Sequence, residues 1–137
     1  RVFLDDKTYD FSFSGLKTAV LNYLNGAKQR GEEIVLEDVA AGFQQAVLDV
    51  LVEKSFRLSR ELGRDKIVIA GGVAANKGLR EMMETRGIKN NIGIFYPSPR
   101  LCTDNAAMIG SAGYYNYING KTSPLDLKVM PNLSFLD

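Results

Sequence analysis

Two stretches of this chain combine residue types that can hold a ligand. In Ile67-Val68-Ile69-Ala70-Gly71-Gly72-Val73-Ala74-Ala75-Asn76 a β-branched run stops at two glycines and passes into residues that favour helix. That order predicts a strand, a tight turn and a helix N-terminus. Gly71 and Gly72 place no Cβ at the end of the strand, so a ligand can touch the backbone there. Open N–H groups at a helix start carry partial positive charge and suit a phosphate or the polar edge of a nucleotide. Asn76 adds a side-chain amide. The same residues also fit a plainer role, with the glycines letting strand and helix pack closely and Asn76 capping the helix. In the second stretch, Leu101-Cys102-Thr103-Asp104-Asn105-Ala106-Ala107-Met108-Ile109-Gly110, either Thr103 or Asp104 is placed to cap a helix. Alternatively Asp104 is a carboxylate aimed into the crevice of Gly71 and Gly72, able to ligate a metal ion or orient a phosphate. Cys102 reads as a small buried residue, because no base accompanies it.

The elements that must position these residues are legible in the apolar spacing. Phe11-Ser12-Phe13-Ser14 alternates, then Leu16, Val20, Tyr23 and Leu24 follow helical spacing, which predicts a helix capped by Ser14 and stopped near Asn25-Gly26. Ser12 and Ser14 fit capping and turn chemistry, and Lys17 fits a solvated charge. A long helix starts at Glu37, with Leu36, Ala40, Phe43, Val47, Val50, Leu51, Leu58 and Leu62 as its stripe and Leu48, Val52 and Phe56 widening it. Its length is roughly 40 Å at 1.5 Å per residue, with Gly63 as the stop. Ile67 to Ala70, four apolar residues without alternation, predict a strand buried on both faces. Leu79, Met82 and Met83 give the next helix its buried side, Gly87 ends it, and Ile92-Gly93-Ile94-Phe95-Tyr96 makes a second strand closed by Pro97-Ser98-Pro99. Strand, helix and strand over about 30 residues predict a parallel βαβ unit. Ligands bind beyond the carboxyl ends of such strands, so the glycine turn and the proline loop are expected to face one crevice. The last helix ends at Asn119-Gly120 and aligns Ala106, Gly110 and Gly113 for close packing; residues 123–137 read as an irregular tail packing Leu125, Val129 and Leu133 onto the body.

Composition narrows the function classes. At 137 residues and 45% hydrophobic there is room for one domain with a real core, or a piece of one. Seventeen Lys and Arg against 16 Asp and Glu give +1, no general electrostatic case for a nucleic-acid or membrane footprint. A single Cys excludes an internal disulfide framework and fits a reducing cytoplasm. No stretch approaches the roughly 18 apolar residues of a membrane span. Arg1-Val2-Phe3-Leu4-Asp5-Asp6 has neither a starting Met nor a signal-peptide core, so the chain reads as a segment of something longer. With no His there is no imidazole base or ligand, and complete catalytic machinery is not expected within these residues alone.

Three motifs in order, Asp10-Phe11-Ser12-Phe13-Ser14-Gly15-Leu16-Lys17-Thr18, Ala70-Gly71-Gly72-Val73-Ala74-Ala75-Asn76 and Cys102-Thr103-Asp104-Asn105-Ala106-Ala107-Met108, resemble the C-terminal part of the bacterial tRNA adenosine threonylcarbamoyltransferases, long labelled O-sialoglycoprotein endopeptidases. The resemblance covers essentially the whole chain. It implies an α/β fold, a helix-rich portion with a small parallel sheet from the C-terminal lobe of a two-lobed actin-like ATPase (ribonuclease H-like, Hsp70 and sugar kinase) enzyme, with residues 1–137 as its C-terminal fragment. It also implies transfer of threonylcarbamoyl from threonylcarbamoyl-AMP to N6 of the adenosine 3′ of the anticodon, in tRNAs that read codons beginning with A. Residue by residue, Gly71, Gly72 and Asn76 match the family's nucleotide-binding positions and Asp104 its third protein metal ligand. The metal, iron or zinc, takes its two other ligands from an H-x-x-x-H helix in the N-terminal half, outside this chain. Implied partners are tRNA, threonylcarbamoyl-AMP, that N-terminal half, a paralogous actin-like subunit and a small ATPase, in the cytoplasm and without a membrane. The fragment alone is expected to be inactive. No general base is evident, and Lys17 receives no role. The competing readings are a nucleotide sensor of actin-like or sugar-kinase type without transferase chemistry, a protein-interaction domain, and the older metallo-glycoprotease label, for which no nucleophile or zinc-hydrolase motif is present.

Overall fold

Ser12, not Ser14, starts the first helix. In the computed structural model, which describes residues 8–128, 130 and 131, Ser12 is extended and its Oγ accepts from the Gly15 N–H at 3.3 Å, opening α1 at Phe13–Arg30. Ser14 is already helical, and its carbonyl accepts from Thr18 Oγ1. The expected stop at Asn25-Gly26 is overrun. Glycine inside a helix costs only about 1 kcal/mol, and one more turn buries Ala27 completely and sets Lys28 and Arg30 at the negative end. The stop falls at Gly31, whose φ of 70° is left-handed.

Helix α2, Leu36–Glu61, carries Glu37 and Asp38 in its first turn and ends just before Gly63, as expected. Its centre is different from the expected stripe. Leu48, Val52 and Phe56, spaced by four, are its residues in the core, Val50 of the expected stripe is also buried, and Leu36 and Leu62 at the two ends are exposed. They build one core with Leu79, Met83 and Ile92, against which Ile67, Ile69 and Ile94 pack.

The expected βαβ unit is present. Strands β1, Lys66–Val68, and β2, Gly93–Phe95, pair in parallel with Ile67 opposite Ile94, and α3, Lys77–Asn90, connects them. Burial on both faces is not found: Ile67 and Ile69 turn towards the core, while Val68 is 73% and Phe95 51% exposed. With two strands and the helices on one side, alternation decides which residues are covered. Gly87 does not end α3 either. The helix runs on to Asn90 and closes on Asn91, whose φ is 54°. Gly87 is where α3 touches β2: a Cβ there would lie 2.7 Å from both the Ile92 carbonyl oxygen and Ile94 Cγ1.

These elements form the first of two units, Arg1–Thr103; the second is Asp104–Asp137. The second contains α4, Ala106–Ile118, which ends at Asn119-Gly120 as expected. Within this unit nothing lies within 4 Å of the Cβ positions of Gly110 and Gly113, so the expected close packing is not made there. Residues 121–128 are irregular and Leu125 is exposed rather than packed; Val129 and Leu133 lie outside the described residues. Among the described residues no helix is long and apolar enough to cross a membrane.

Candidate functional site

The backbone after β1 makes two successive turns. Ile69 donates to the Phe95 carbonyl at 2.9 Å, then Gly71 swings to φ 85°, ψ 174° and opens a 3₁₀ turn over Gly72–Ala75. The Ala74 N–H is satisfied by the Gly71 carbonyl and that of Asn76 by the Val73 carbonyl, each at 3.0 Å. The N–H groups of Gly72 and Val73 precede the first bond of the turn and are the donors it leaves for a ligand. The start of α3 is therefore separated from the glycines by a turn of its own, instead of following them directly.

The two glycines have different reasons to be glycine. Gly71 needs its positive φ, which an L side chain adopts only with strain. Gly72 has no such φ, and a Cβ there would meet only Thr103 Cγ2, at an ordinary 3.8 Å. Packing within the unit does not demand glycine at position 72, which corrects the plainer reading of the pair. Gly71→Ala is accordingly expected to lower stability by about 1 kcal/mol or more, and Gly72→Ala to stay within about 0.5 kcal/mol of the unsubstituted chain. Urea unfolding of the two variants side by side checks this. An open hollow of about 260 Å³ adjoins the turn, lined by Ser55, Val68, Ala70, Val73, Ala74 and Leu79.

Asn76 is the N-cap of α3: its Oδ1 accepts from the Leu79 N–H at 2.9 Å, while its Nδ2 donates to Gln44 Oε1 on α2 at 3.1 Å. One helical turn carries the cap and the link to α2, so the amide is held in place before any ligand arrives. The two strand-end loops, expected to face one crevice, are linked to each other by a side chain. Their connector is Arg80, whose Nε donates to the Ala74 carbonyl at 2.5 Å and whose Nη2 donates to the Pro97 carbonyl at 3.0 Å. The same Nη2 lies 3.3 Å from Cys102 Sγ, and the guanidinium stacks 4.2 Å from the centroid of Tyr96. Cys102 is buried, as expected, between the Arg80 fork and the carbonyls of Pro97 and Ser98. The Tyr96 hydroxyl donates to Glu84, and this carboxylate raises the phenol above its usual pKa.

Sequence reasoning missed Arg80 and Lys54. A cation in the first turn of a helix opposes the helix dipole, which is the signal Arg80 offered. Lys54 stands among apolar neighbours in α2, is 1% exposed, and donates from Nζ to the Asp10 carbonyl at 2.5 Å. With the Arg57 bond to the Thr8 carbonyl at 2.7 Å, it ties the motif that leads into α1 onto α2. Lys17 is exposed.

Asp104 opens the second unit, and it is not the cap. Asn105 is extended, and its Oδ1 accepts from the Met108 N–H at 3.0 Å, which occupies the capping position one residue later than expected. Among the described residues Asp104 is exposed and makes no hydrogen bond or ion pair, so its carboxylate is committed to no structural task there. No group of three His, Cys, Asp or Glu that could hold a metal ion occurs among the described residues. Among the described residues the donor set thus fits a single carboxylate ligand to a metal and not a complete site.

Comparison with known proteins gives a consistent answer. A family model described as tRNA N6-adenosine threonylcarbamoyltransferase matches residues 2–111, which include the glycine turn, Asn76 and Asp104. Proteins named tRNA N6-adenosine threonylcarbamoyltransferase from Clostridioides difficile strain 630 and Staphylococcus haemolyticus are 54% and 50% identical over 133 residues, 97% of this chain and 39% of theirs. One from Clostridium kluyveri is 53% identical over 131 residues, 96% of this chain and 38% of its own. The chain therefore spans about 39% of the length of the curated relatives it matches. With the strand, glycine turn, capped helix and Asp104 stretch in the expected order, and with a family match across most of its length, the chain belongs to the tRNA N6-adenosine threonylcarbamoyltransferase family.

Proposed function

We propose that this chain supplies one wall of the nucleotide cleft in an enzyme that transfers a threonylcarbamoyl group to tRNA. The donor is threonylcarbamoyl-AMP and the acceptor is N6 of the adenosine 3′ of the anticodon in tRNAs reading A-starting codons. The observation that carries this reading is Gly72, a glycine that its own unit does not require, at the open end of β1 beside unspent backbone donors. In the proposed complex the Gly72 and Val73 N–H groups face the adenylate and Asn76, locked by its cap, sets the edge of the nucleotide site. The apolar hollow beside the turn accepts flat, weakly polar surface. Preorganised amides in this position cost no reorganisation when the reacting group arrives.

Asp104 would hold a metal ion, iron or zinc, together with histidines from outside this chain. Such an ion supplies Lewis-acid polarisation of a carbamoyl or phosphate oxygen. The assembly further comprises tRNA, a paralogous actin-like subunit and a small ATPase, and it works in the cytoplasm. A net charge of +1 assigns tRNA contact to local patches and to the rest of the assembly.

Gly72→Val tests the reading in the longer protein carrying this chain, supplied with its partner subunits. A branched side chain whose Cβ meets only Thr103 Cγ2, at an ordinary 3.8 Å, leaves the fold nearly unchanged but occupies ligand room. Adenylate affinity per folded molecule should fall at least about tenfold, equivalent to roughly 1.4 kcal/mol, with the melting temperature lowered by only a few degrees. Unchanged affinity per folded molecule would sink the nucleotide contact at Gly72.

A further inference from the structure

Arg80 is a large investment at an unfavourable place. It lies in the first turn of α3, where a cation opposes the helix dipole and an acidic residue would favour the helix. It is half-buried, and its guanidinium is spent on four contacts that belong to two different loops. Nε holds the Ala74 carbonyl, inside the 3₁₀ turn that Gly71 opens. Nη2 holds the Pro97 carbonyl and approaches Cys102 Sγ, both in the segment after β2. The flat face rests on Tyr96, which is fixed in turn by its hydroxyl bond to Glu84 on α3. A planar fork with fixed donor directions sets the separation of two carbonyls in a way a single ammonium cannot. Parallel strands deliver the two loops to the same edge, but nothing in the ladder dictates how far apart they stand beyond it.

We propose that Arg80 is a positioning residue that clamps the glycine turn to the proline loop and so holds the Gly72 and Val73 N–H groups ready for an adenine nucleotide. The clamp rests on the nucleotide reading given above. It acts through the backbone of Ala74 and Pro97, without contact to the ligand. Loss of the fork frees the turn locally, whereas the core of α2 and the pairing of β1 with β2 persist.

The test uses the longer protein with its partner subunits, the variants Arg80→Met and Arg80→Lys, and AMP as the probe. Methionine keeps an apolar stem over Tyr96; lysine keeps the charge but reaches one carbonyl at a time. Without nucleotide, exchange of the hydrogen-bonded amides of Ala74, Asn76, Leu101 and Cys102 in the two loops is expected to rise about tenfold in Arg80→Met, with exchange along α2 unchanged. AMP affinity per folded molecule should fall about tenfold, and Arg80→Lys should recover only part of both effects. If Arg80→Met does not fold, Arg80→Lys carries the same comparison, with smaller shifts in the same two segments. Faster exchange with unaltered AMP affinity overturns the positioning role, as does unchanged exchange in both segments. An unsubstituted protein that binds no AMP overturns the nucleotide reading and the positioning role with it. That outcome is distinct from equal AMP binding by all three proteins, which removes the role of Arg80 alone.

Discussion

Asp104→Ala, made in the longer protein that carries this chain, is expected to empty the metal site and reduce threonylcarbamoyl transfer by roughly a hundredfold or more, with almost no loss of stability. The second half of that expectation follows from the neighbouring residue. Had Asp104 capped α4, its removal would cost about 1 kcal/mol through the helix. Asn105 holds that position, with its Oδ1 on the Met108 N–H, and Asp104 has no partner among the described residues. An exposed carboxylate without partners is replaced by alanine within about 0.5 kcal/mol. Elemental analysis of the purified variant together with its melting curve checks both halves. Full metal content would leave Asp104 without the ligand role that the family resemblance assigns to it. A complementary variant, Asn105→Ala, should show the opposite pattern, with weakened α4 and retained metal.

Gly87→Ala carries the largest expected cost in stability, about 3 kcal/mol. Alanine is ordinarily the better residue in the interior of a helix, by about 1 kcal/mol. Here helix propensity loses to packing. The added methyl would stand 2.7 Å from the Ile92 carbonyl oxygen and 2.7 Å from Ile94 Cγ1. One of these is backbone and the other is a branched side chain already packed against the core, so neither can swing aside. Relief requires α3 to move off β2, which also disturbs the Ile92 N–H bond to the Gly87 carbonyl at 2.9 Å. For a unit of this size the melting temperature should fall by about 10 °C or more. Thermal unfolding followed by circular dichroism gives the value. A melting temperature within 2 °C of the parent, an order-of-magnitude bound of about 0.5 kcal/mol, would mean that α3 and β2 are not held as tightly as this contact implies.

The sequence alone determined the order and type of the elements, because apolar spacing and glycine placement act over a few residues. The parallel pairing of β1 and β2, the stops at Gly63 and Asn119-Gly120, the burial of Cys102 and the presence of a turn at Gly71-Gly72 were all legible in it. So were the three motifs, since family resemblance is carried by residue types in order. Where α1 and α3 ended was decided by packing contacts instead. Helix α1 passes Gly26 because Ala27 gains burial, and α3 passes Gly87 because that glycine serves β2 rather than the helix end. Apolar spacing could not distinguish a covered strand face from an open one either. Val68 and Ile69 look alike in a β-branched run, and only the placement of the helices on one side exposes the first and covers the second. The two cations that sequence reasoning missed, Arg80 and Lys54, make their bonds to backbone carbonyls of remote segments, at Ala74, Pro97 and Asp10. A carbonyl leaves no trace in the identity of its residue, so these links exist only once the tertiary structure has brought donor and acceptor together.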